Sequence, residues 1–499
     1  MIAIAVLLGI IGFFLLKIFL QRRKLPPGPF PLPIIGNLHQ LAYKLYVKNK
    51  TFVEAIREWI EEYGSVHTFW VGPIALVNIC DYATAKDAMV KKGNTFTDRV
   101  SPYLLNIIRK NRGIIVSNGL PWQEQRRFAL HTLRNFGLGR NIIEERIMFE
   151  FNIACEGLEK RLNNGEASIN PFKMFELLVG NIINRILFTD RFDENDEKTF
   201  FELKAKAHAT MEHFTIFDNF IDEWNIRLPL ISQRTKGFLE PIEDLLYFIR
   251  GQIQRRKRDI ELGTHQLDGE GGDFVDAFLV QMKKDKESHT STSFDEEMLA
   301  MSLLDLWIAG QETTAVTLNW AFCFLLLNPE VRTRLEEELL SVTKGERPLS
   351  ITDRPNTPFY NATIAEVHRC ASIVPFNLWR NTAEDVIVGS YVIPKGTAIT
   401  AAISLIMTDE KFFKDKYEFN PSRYINGDRL EHMVVAFGLG KRSCLGESLA
   451  QAELYLIMGN LLLRYVLSPD PSHLPSTEAQ NKLETIRQCQ PYNIIFRTR

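Results

Sequence analysis

Residues 437–446 read Phe-Gly-Leu-Gly-Lys-Arg-Ser-Cys-Leu-Gly, and Phe437, Gly440, Arg442, Cys444 and Gly446 form the pattern F-x-x-G-x-R-x-C-x-G. Each residue type has a chemical reason to stand there. A thiolate supplies a strongly donating axial ligand to a haem iron. Gly440 and Gly446 let the backbone turn tightly and approach a flat ring. Backbone N–H groups of such a turn can point at the sulfur and tune its basicity. A helix beginning near Leu445 sets its positive end beside the thiolate. Arg442 suits a haem propionate through charge-assisted hydrogen bonds. A cysteine merely buried in a glycine turn would not need all five positions.

The other cysteines are Cys80, Cys155, Cys323, Cys370 and Cys489, widely scattered and without a CxxC spacing. That is neither a disulfide framework nor a zinc pattern, and it suits a reducing compartment. The chain has 499 residues, 45 % hydrophobic and 24 % charged, with a formal net charge of -2. Such a length accommodates a large core and an apolar ligand pocket. The near-neutral balance gives no global attraction to nucleic acid, so a partner-binding patch has to be local.

Upstream, residues 1–20 read MIAIAVLLGIIGFFLLKIFL, and only Lys17 interrupts the apolar run. At about 1.5 Å per residue the run crosses a hydrocarbon core of about 30 Å. Arg22, Arg23 and Lys24 follow directly, with no basic residue ahead of the run and no small-residue cleavage site behind it. A cleaved signal has the opposite charge order. The reading is a transmembrane signal anchor over 1–20, with everything after it cytoplasmic. Residues 21–37 form a basic, proline-rich linker, with five prolines between Pro26 and Pro33. Such a stretch is extended and semi-rigid.

Residues 38–499 read as one large, mainly α body with small β-sheets. Apolar residues at helical spacing predict helices over 52–62, 121–135, 142–162, 171–187, 196–213, 236–261, 295–327, 329–343, 358–372 and 446–463. Short alternation predicts strands over 67–79, 386–393, 398–402 and 492–496. Residues 263–272 and 284–293 read as polar surface loops.

Three further motifs surround the cysteine loop. Glu366-Val367-His368-Arg369 is E-x-x-R, whose two charges share a helix face, and Arg423 follows in FNPSRY. Ala309-Gly310-Gln311-Glu312-Thr313-Thr314 interrupts a long apolar helix with a small residue, a carboxylate and hydroxyls. A small residue leaves room beside a bound diatomic molecule, and Glu312 and Thr313 offer groups for proton delivery. Trp122 and Arg126 form W-x-x-x-R on one helical face, while Arg99 stands in FTDR and Arg380 in LWRN.

With these motifs the chain resembles the cytochrome P-450 superfamily over essentially its whole length, and most of all the family-two type of animal microsomal monooxygenases. The resemblance implies the haem-thiolate fold, with haem b bound through Cys444. It departs in having Ala436 where the family often has proline, and Arg380 where many relatives have histidine. It implies that Glu366, Arg369 and Arg423 form a buried structural triad. It places Arg99, Trp122, Arg126, Arg380 and Arg442 around the propionates, Phe437 and Gly446 against the cofactor, and Ala309 beside the bound oxygen. Thr313 and Glu312 would be the catalytic pair for proton delivery.

The implied reaction is reductive activation of O2 and insertion of one oxygen atom into a lipophilic substrate: a xenobiotic, a fatty acid or eicosanoid, or a steroid. No flavin, nicotinamide or iron–sulfur motif stands in the chain, so electrons arrive from outside. The implied donor is NADPH–cytochrome reductase in the endoplasmic reticulum membrane, with cytochrome b5 as a candidate second donor. Arg127, Arg134, Arg140 and Lys441 would steer an acidic donor. Two other classes use such a site. A peroxide isomerase or dehydratase needs no reductase and often lacks the acid–threonine pair; a haem sensor needs no proton delivery. Residues 100–118, 196–235, 301–313 and 374–380 are expected to line the pocket, with Phe214, Phe217, Phe220, Leu306, Ile308, Phe376 and Leu378 as candidates.

Overall fold

The computed structural model describes residues 12–13, 15–136, 141–213, 216–267, 269–289, 291–425, 429–481 and 485–499. The first half runs through helix α1 (Phe52–Tyr63), strands β1 (Val66–Val71), β2 (Ile74–Ile79) and β3 (Asp98–Arg99), helices α2 (Gly119–Asn135) and α3 (Asn141–Asn163), strand β4 (Ser168–Ile169), and helices α4 (Phe172–Phe188), α5 (Glu197–His213) and α6 (Pro229–Glu261). Helices α7 (Phe274–Glu287), α8 (Glu296–Leu327), α9 (Pro329–Thr343) and α10 (Pro358–Ala371) follow. The chain ends with strands β5 (Arg380–Asn381), β6 (Val386–Val388), β7 (Tyr391–Ile393) and β8 (Ala398–Ala401), helix α11 (Glu447–Arg464), and strands β9 (Tyr465–Pro469) and β10 (Ile494–Thr498).

The axis of the molecule is α8. Asp295 caps it by accepting from the Met298 N–H at 2.6 Å, which satisfies a donor the first turn leaves orphaned. Nearly every side chain from Met298 to Leu326 is buried. A helix apolar on all sides belongs inside a large core, and α8 packs against α4, α6, α10 and α11. Gly310 was expected to leave room beside bound oxygen. Instead, a Cβ there would stand 2.6 Å from Ile183 Cδ1 on α4, so the missing side chain serves helix–helix approach.

The sheets lie to one side. One has the order β1-β2-β8-β5-β3, a second β4-β10-β9, and β6 and β7 form a hairpin. In the first sheet β2 and β8 run parallel, while β5 pairs antiparallel with both β8 and β3. Strand β1 is buried at all six positions, so both faces are covered. The proline segment docks against it: Thr68 N–H donates to Pro27 O at 2.9 Å, and Trp70 N–H to Asn37 Oδ1 at 2.7 Å. The linker therefore ends as an edge of the body.

The predicted polar loop over 284–293 begins too early. Helix α7 runs to Glu287 because Asp273 caps it and Phe274, Val275 and Phe278 are buried. Most of the expected anchor, residues 1–11 and 14, lies outside the described residues, as do Arg140 and Phe214. Among the described residues no helix is long and apolar enough to cross a membrane.

Candidate functional site

The cysteine loop is a tight turn locked by backbone. Gly438 and Gly440 have φ of 77° and 76°, a region that side chains disfavour. At Gly440 a Cβ would also sit 1.7 Å from Met89 O. The turn closes when Cys444 N–H donates to Phe437 O at 2.8 Å and Ser443 N–H to Gly440 O at 2.9 Å. Helix α11 starts at Glu447, so its amino end lies next to Cys444. Of the six cysteines, Cys444 alone is exposed. Surrounding protein nevertheless raises its thiol pKa by desolvation, which the Gly446 N–H opposes. Glu447 adds to the rise, while Arg126 and the Glu447 N–H lower it. Gly446 has φ of -91° and nothing within 4 Å of where its Cβ would be. The protein alone does not require glycine there, whereas a flat ring laid against the loop would.

Four arginines gather beside this loop. Strands β3 and β5 set Arg99 directly opposite Arg380, and like charges so paired repel. Burial lowers the pKa of Arg99, and Arg380, Arg442 and Arg126 lower it further. Burial and Arg126 bring Arg380 down to about 10. Among the described residues none of the four forms an ion pair. The Nε atoms of Arg99 and Arg380, and Trp122 Nε1, are buried without a hydrogen-bond partner. Buried donors go unpaired only at a cost. A cationic cluster with orphaned donors fits the two propionates of haem.

Arg442 is anchored by backbone carbonyls. Its Nε donates to Thr97 O and its Nη2 to Ser117 O, both at 2.6 Å, and its Nη1 to Ile114 O at 3.3 Å. Its guanidinium lies 3.7 Å from the centre of the Trp122 ring. Arg442 thus clamps segment 97–118 to the loop. Arg126 Nη2 donates to Ser443 O at 2.8 Å, which fastens α2 to the loop. Phe437 meets the His368 ring edge-on at 4.9 Å between centroids.

The clamp continues to α8. The Ile114 and Ile115 N–H groups donate to Asp305 Oδ2 at 2.7 and 2.9 Å, and Arg109 pairs with Asp305 as well. Asp305 stands one turn before Ala309, on the same face. Ala309 is exposed, and Leu306, Ile308, Gly310 and Thr313 are half-buried, while the rest of 298–326 is buried, so this turn fronts open space. Thr313 Oγ1 donates to Ala309 O at 2.9 Å, which leaves its lone pairs to accept from a water. Glu312 is not beside it. Its Oε2 lies 2.9 Å from Lys204 Nζ and its Oε1 accepts from Gln488 Nε2 at 3.0 Å.

The triad sits below. Arg369 Nε and Nη2 donate to the two Glu366 oxygens at 2.7 and 2.8 Å. Arg423 Nε, the Tyr424 hydroxyl and the Asn420 N–H also donate to Glu366, at 3.0, 2.8 and 2.9 Å. Arg369 also holds Lys416 O at 2.7 Å and Glu418 O at 3.0 Å.

Of the pocket candidates, Leu306 and Ile308 are half-buried on α8 and Leu378 is 43 % exposed. Phe376 packs on Phe52 at 5.0 Å instead, and Phe220 lies against Gly72 in the β1–β2 turn. The Phe217 side chain lies outside the described residues. Sequence reasoning missed Asp305, His368 and Lys204. The available signal was a polar or charged residue at a position whose i±3 and i±4 neighbours are mostly apolar. Among the described residues no three His, Cys, Asp or Glu converge on a metal-holding position. A lone thiolate suits a metal already held by a macrocycle.

The family model for cytochrome P450 matches residues 26–496. The chain is 38 % identical over 469 residues to a probable cytochrome P450 cyp-35D1 of Caenorhabditis elegans, covering 93 % of each chain. It is 32 % identical to cytochrome P450 2C70 of Rattus norvegicus, over 95 % of this chain and 94 % of that one. It is 30 % identical to cytochrome P450 2A6 of Homo sapiens, over 94 % of each. The family accounts for a mainly helical body with small sheets and for a haem held by a cysteine thiolate, and the chain belongs to it: it is a cytochrome P450 monooxygenase.

Proposed function

We propose that Cys444 is the axial thiolate, and that the enzyme oxygenates lipophilic substrates with electrons from NADPH through cytochrome reductase. The observation that carries this reading is the exposed Cys444 beside Arg99, Arg380 and Arg442, all buried, and half-buried Arg126, none of which forms an ion pair among the described residues. Bound there, haem supplies the iron at which O2 is reduced and one oxygen atom is inserted into substrate. Gly446 and Glu447 N–H groups steady the thiolate. Arg99, Arg126 and Arg380 take the propionates, with Trp122 Nε1 as a further donor. Thr313 accepts a hydrogen bond from a water and so places a proton at the open face of α8. Apolar Leu306, Ile308 and Leu378 favour an apolar ligand. Arg127 and Arg134 on α2 and Lys441 in the loop are exposed, and they suit an acidic electron donor. The apolar run over 1–20, with exposed Trp224, Leu228 and Leu230 as a second contact, supports attachment to the endoplasmic reticulum membrane.

Thr313→Ala is the test that separates chemistries. Haem and substrate binding should persist, while product per NADPH falls and hydrogen peroxide rises. A group that transfers protons contributes about 10²–10⁴-fold, and water replacing the hydroxyl should make the loss smaller. Unchanged coupling across several lipophilic substrates would remove Thr313 from the mechanism and favour a peroxide isomerase.

Arg380→Met should release haem faster to an acceptor protein. A hydrogen bond to a charged group is worth about 1.5–3 kcal/mol, roughly 10-fold to 100-fold in the dissociation constant. A wild-type rate of haem transfer would assign Arg380 another role.

A further inference from the structure

One buried histidine reaches both sides of the cysteine loop. His368 lies on α10 and is 7 % exposed. Glu366 and Arg369 of the same helix hold Asn420, Arg423 and the carbonyls of Lys416 and Glu418. His368 stands about 200° from Glu366 around the helix, so it projects away from that network. Its ring meets Phe437 edge-on, with 4.9 Å between centroids and 66° between planes. Its Nε2 lies 3.3 Å from Gln451 Nε2. An amide nitrogen only donates, so the imidazole Nε2 accepts and the ring proton sits on Nδ1. Burial holds the imidazole pKa down to about 4. The ring is therefore neutral at physiological pH and brings no charge to the loop.

Both partners act on Cys444. The Phe437 carbonyl accepts the Cys444 N–H at 2.8 Å, so the place of Phe437 fixes the peptide that carries the sulfur. Gln451 lies on α11 one turn after Glu447. The Gly446 and Glu447 N–H groups at the head of that helix bond to the sulfur. The Gln451 backbone is pinned in turn, because Arg354 Nη2 donates to Gln451 O at 2.8 Å. One rigid side chain thus spaces the residue that closes the loop from the helix end that steadies the thiolate. A leucine there could press on Phe437 but could not accept from Gln451.

We infer that His368 is a positioning residue for the axial thiolate: through Phe437 and Gln451 it holds the N–H donors at the head of α11 on the Cys444 sulfur, and so sets how strongly that sulfur donates to iron. The inference rests on the reading of Cys444 as the ligand. Hydrogen bonds to a ligand sulfur draw electron density from it and raise the reduction potential. Loosening them makes the sulfur a stronger donor and favours the oxidised metal. A histidine that only filled space between α10 and the loop would alter stability without altering the potential.

The test uses the full-length, haem-loaded protein, without substrate or reductase. The reduction potential is read by dye-mediated dithionite titration, and the iron–sulfur stretch by resonance Raman spectroscopy. His368→Leu should lower the equilibrium constant for one-electron reduction about 2–10-fold, the worth of one ordinary hydrogen bond. The stretch should move to higher frequency, as the bond to a less hydrogen-bonded sulfur strengthens. His368→Gln keeps an acceptor for the Gln451 amide and should recover most of both. Should His368→Leu fail to retain haem, Gln451→Leu removes the same hydrogen bond from the other side and is read in its place. A wild-type potential and stretch in the haem-retaining variant overturns the proposal, even where the denaturant midpoint has fallen. The carbon-monoxide spectrum keeps the two readings apart. A red-shifted band that survives Cys444→Ala counts against Cys444 as the ligand, whereas that band in His368→Leu with an unmoved potential counts against His368 alone.

Discussion

Cys444→Ala is expected to abolish the red-shifted absorption of the reduced carbon-monoxide complex, and Cys444→His is expected to abolish it even where haem is retained. A thiolate opposite carbon monoxide gives the iron more electron density than imidazole does. The chain has no substitute close by. Cys80, Cys155, Cys323 and Cys489 are buried, and burial raises Cys155 to about 11 and Cys323 to about 12. Cys489 accepts from Asn319 Nδ2 at 2.9 Å beside α8, away from any glycine turn. Cys370 follows Arg369 in the triad helix, and burial lifts it to about 12. The check is the difference spectrum of the reduced, carbon-monoxide-saturated protein. An unaltered red-shifted band in either variant would move the ligand elsewhere.

Glu366→Ala should leave little folded, haem-loaded protein. The Glu366 and Arg369 side chains are wholly buried, and that of Arg423 is 9 % exposed. Removing the carboxylate strands two guanidinium groups, the Tyr424 hydroxyl and the Asn420 N–H at once. Breaking a buried pair costs about 3–5 kcal/mol, against a typical stability of about 5–15 kcal/mol. Because Arg369 and Arg423 also hold the carbonyls of residues 414–418, the segment leading toward the cysteine loop loosens with them. Arg369→Lys should resemble Glu366→Ala, since an ammonium cannot reproduce the two-pronged contact. The measurements are the denaturant midpoint and the haem-to-protein ratio. A wild-type midpoint for Glu366→Ala would show the triad to be dispensable.

What the sequence disclosed follows the range of the interactions involved. Helices α8 and α10 were legible because their apolar periodicity is local, and the cysteine loop because its glycines and its cysteine are contiguous. The Glu366–Arg369 pair was legible at i,i+3. The hydrophobic pattern also showed that α8 is a long apolar helix. It did not show that Gly310 yields to Ile183 on α4, a contact between residues far apart in the chain. Glu312 and Thr313 look like one acid–alcohol unit in sequence, yet helix geometry sends Glu312 to Lys204 and leaves Thr313 at the open face. The hold on Arg442 was not legible, because the carbonyls of Thr97 and Ser117 lie more than 300 residues away. Short strands such as β3 and β5 carry too few residues for a pattern. Their pairing nonetheless sets Arg99 against Arg380.

The most direct test of the account is the fate of labelled oxygen. Purified enzyme with reductase and NADPH is given ¹⁸O2 and a lipophilic metabolite extract, and products are read by mass spectrometry. The account predicts products that carry one ¹⁸O atom, that appear only with NADPH and reductase, and that are lost with Cys444→Ala. Products without label, or formed from added hydroperoxide with no need for NADPH, would contradict it.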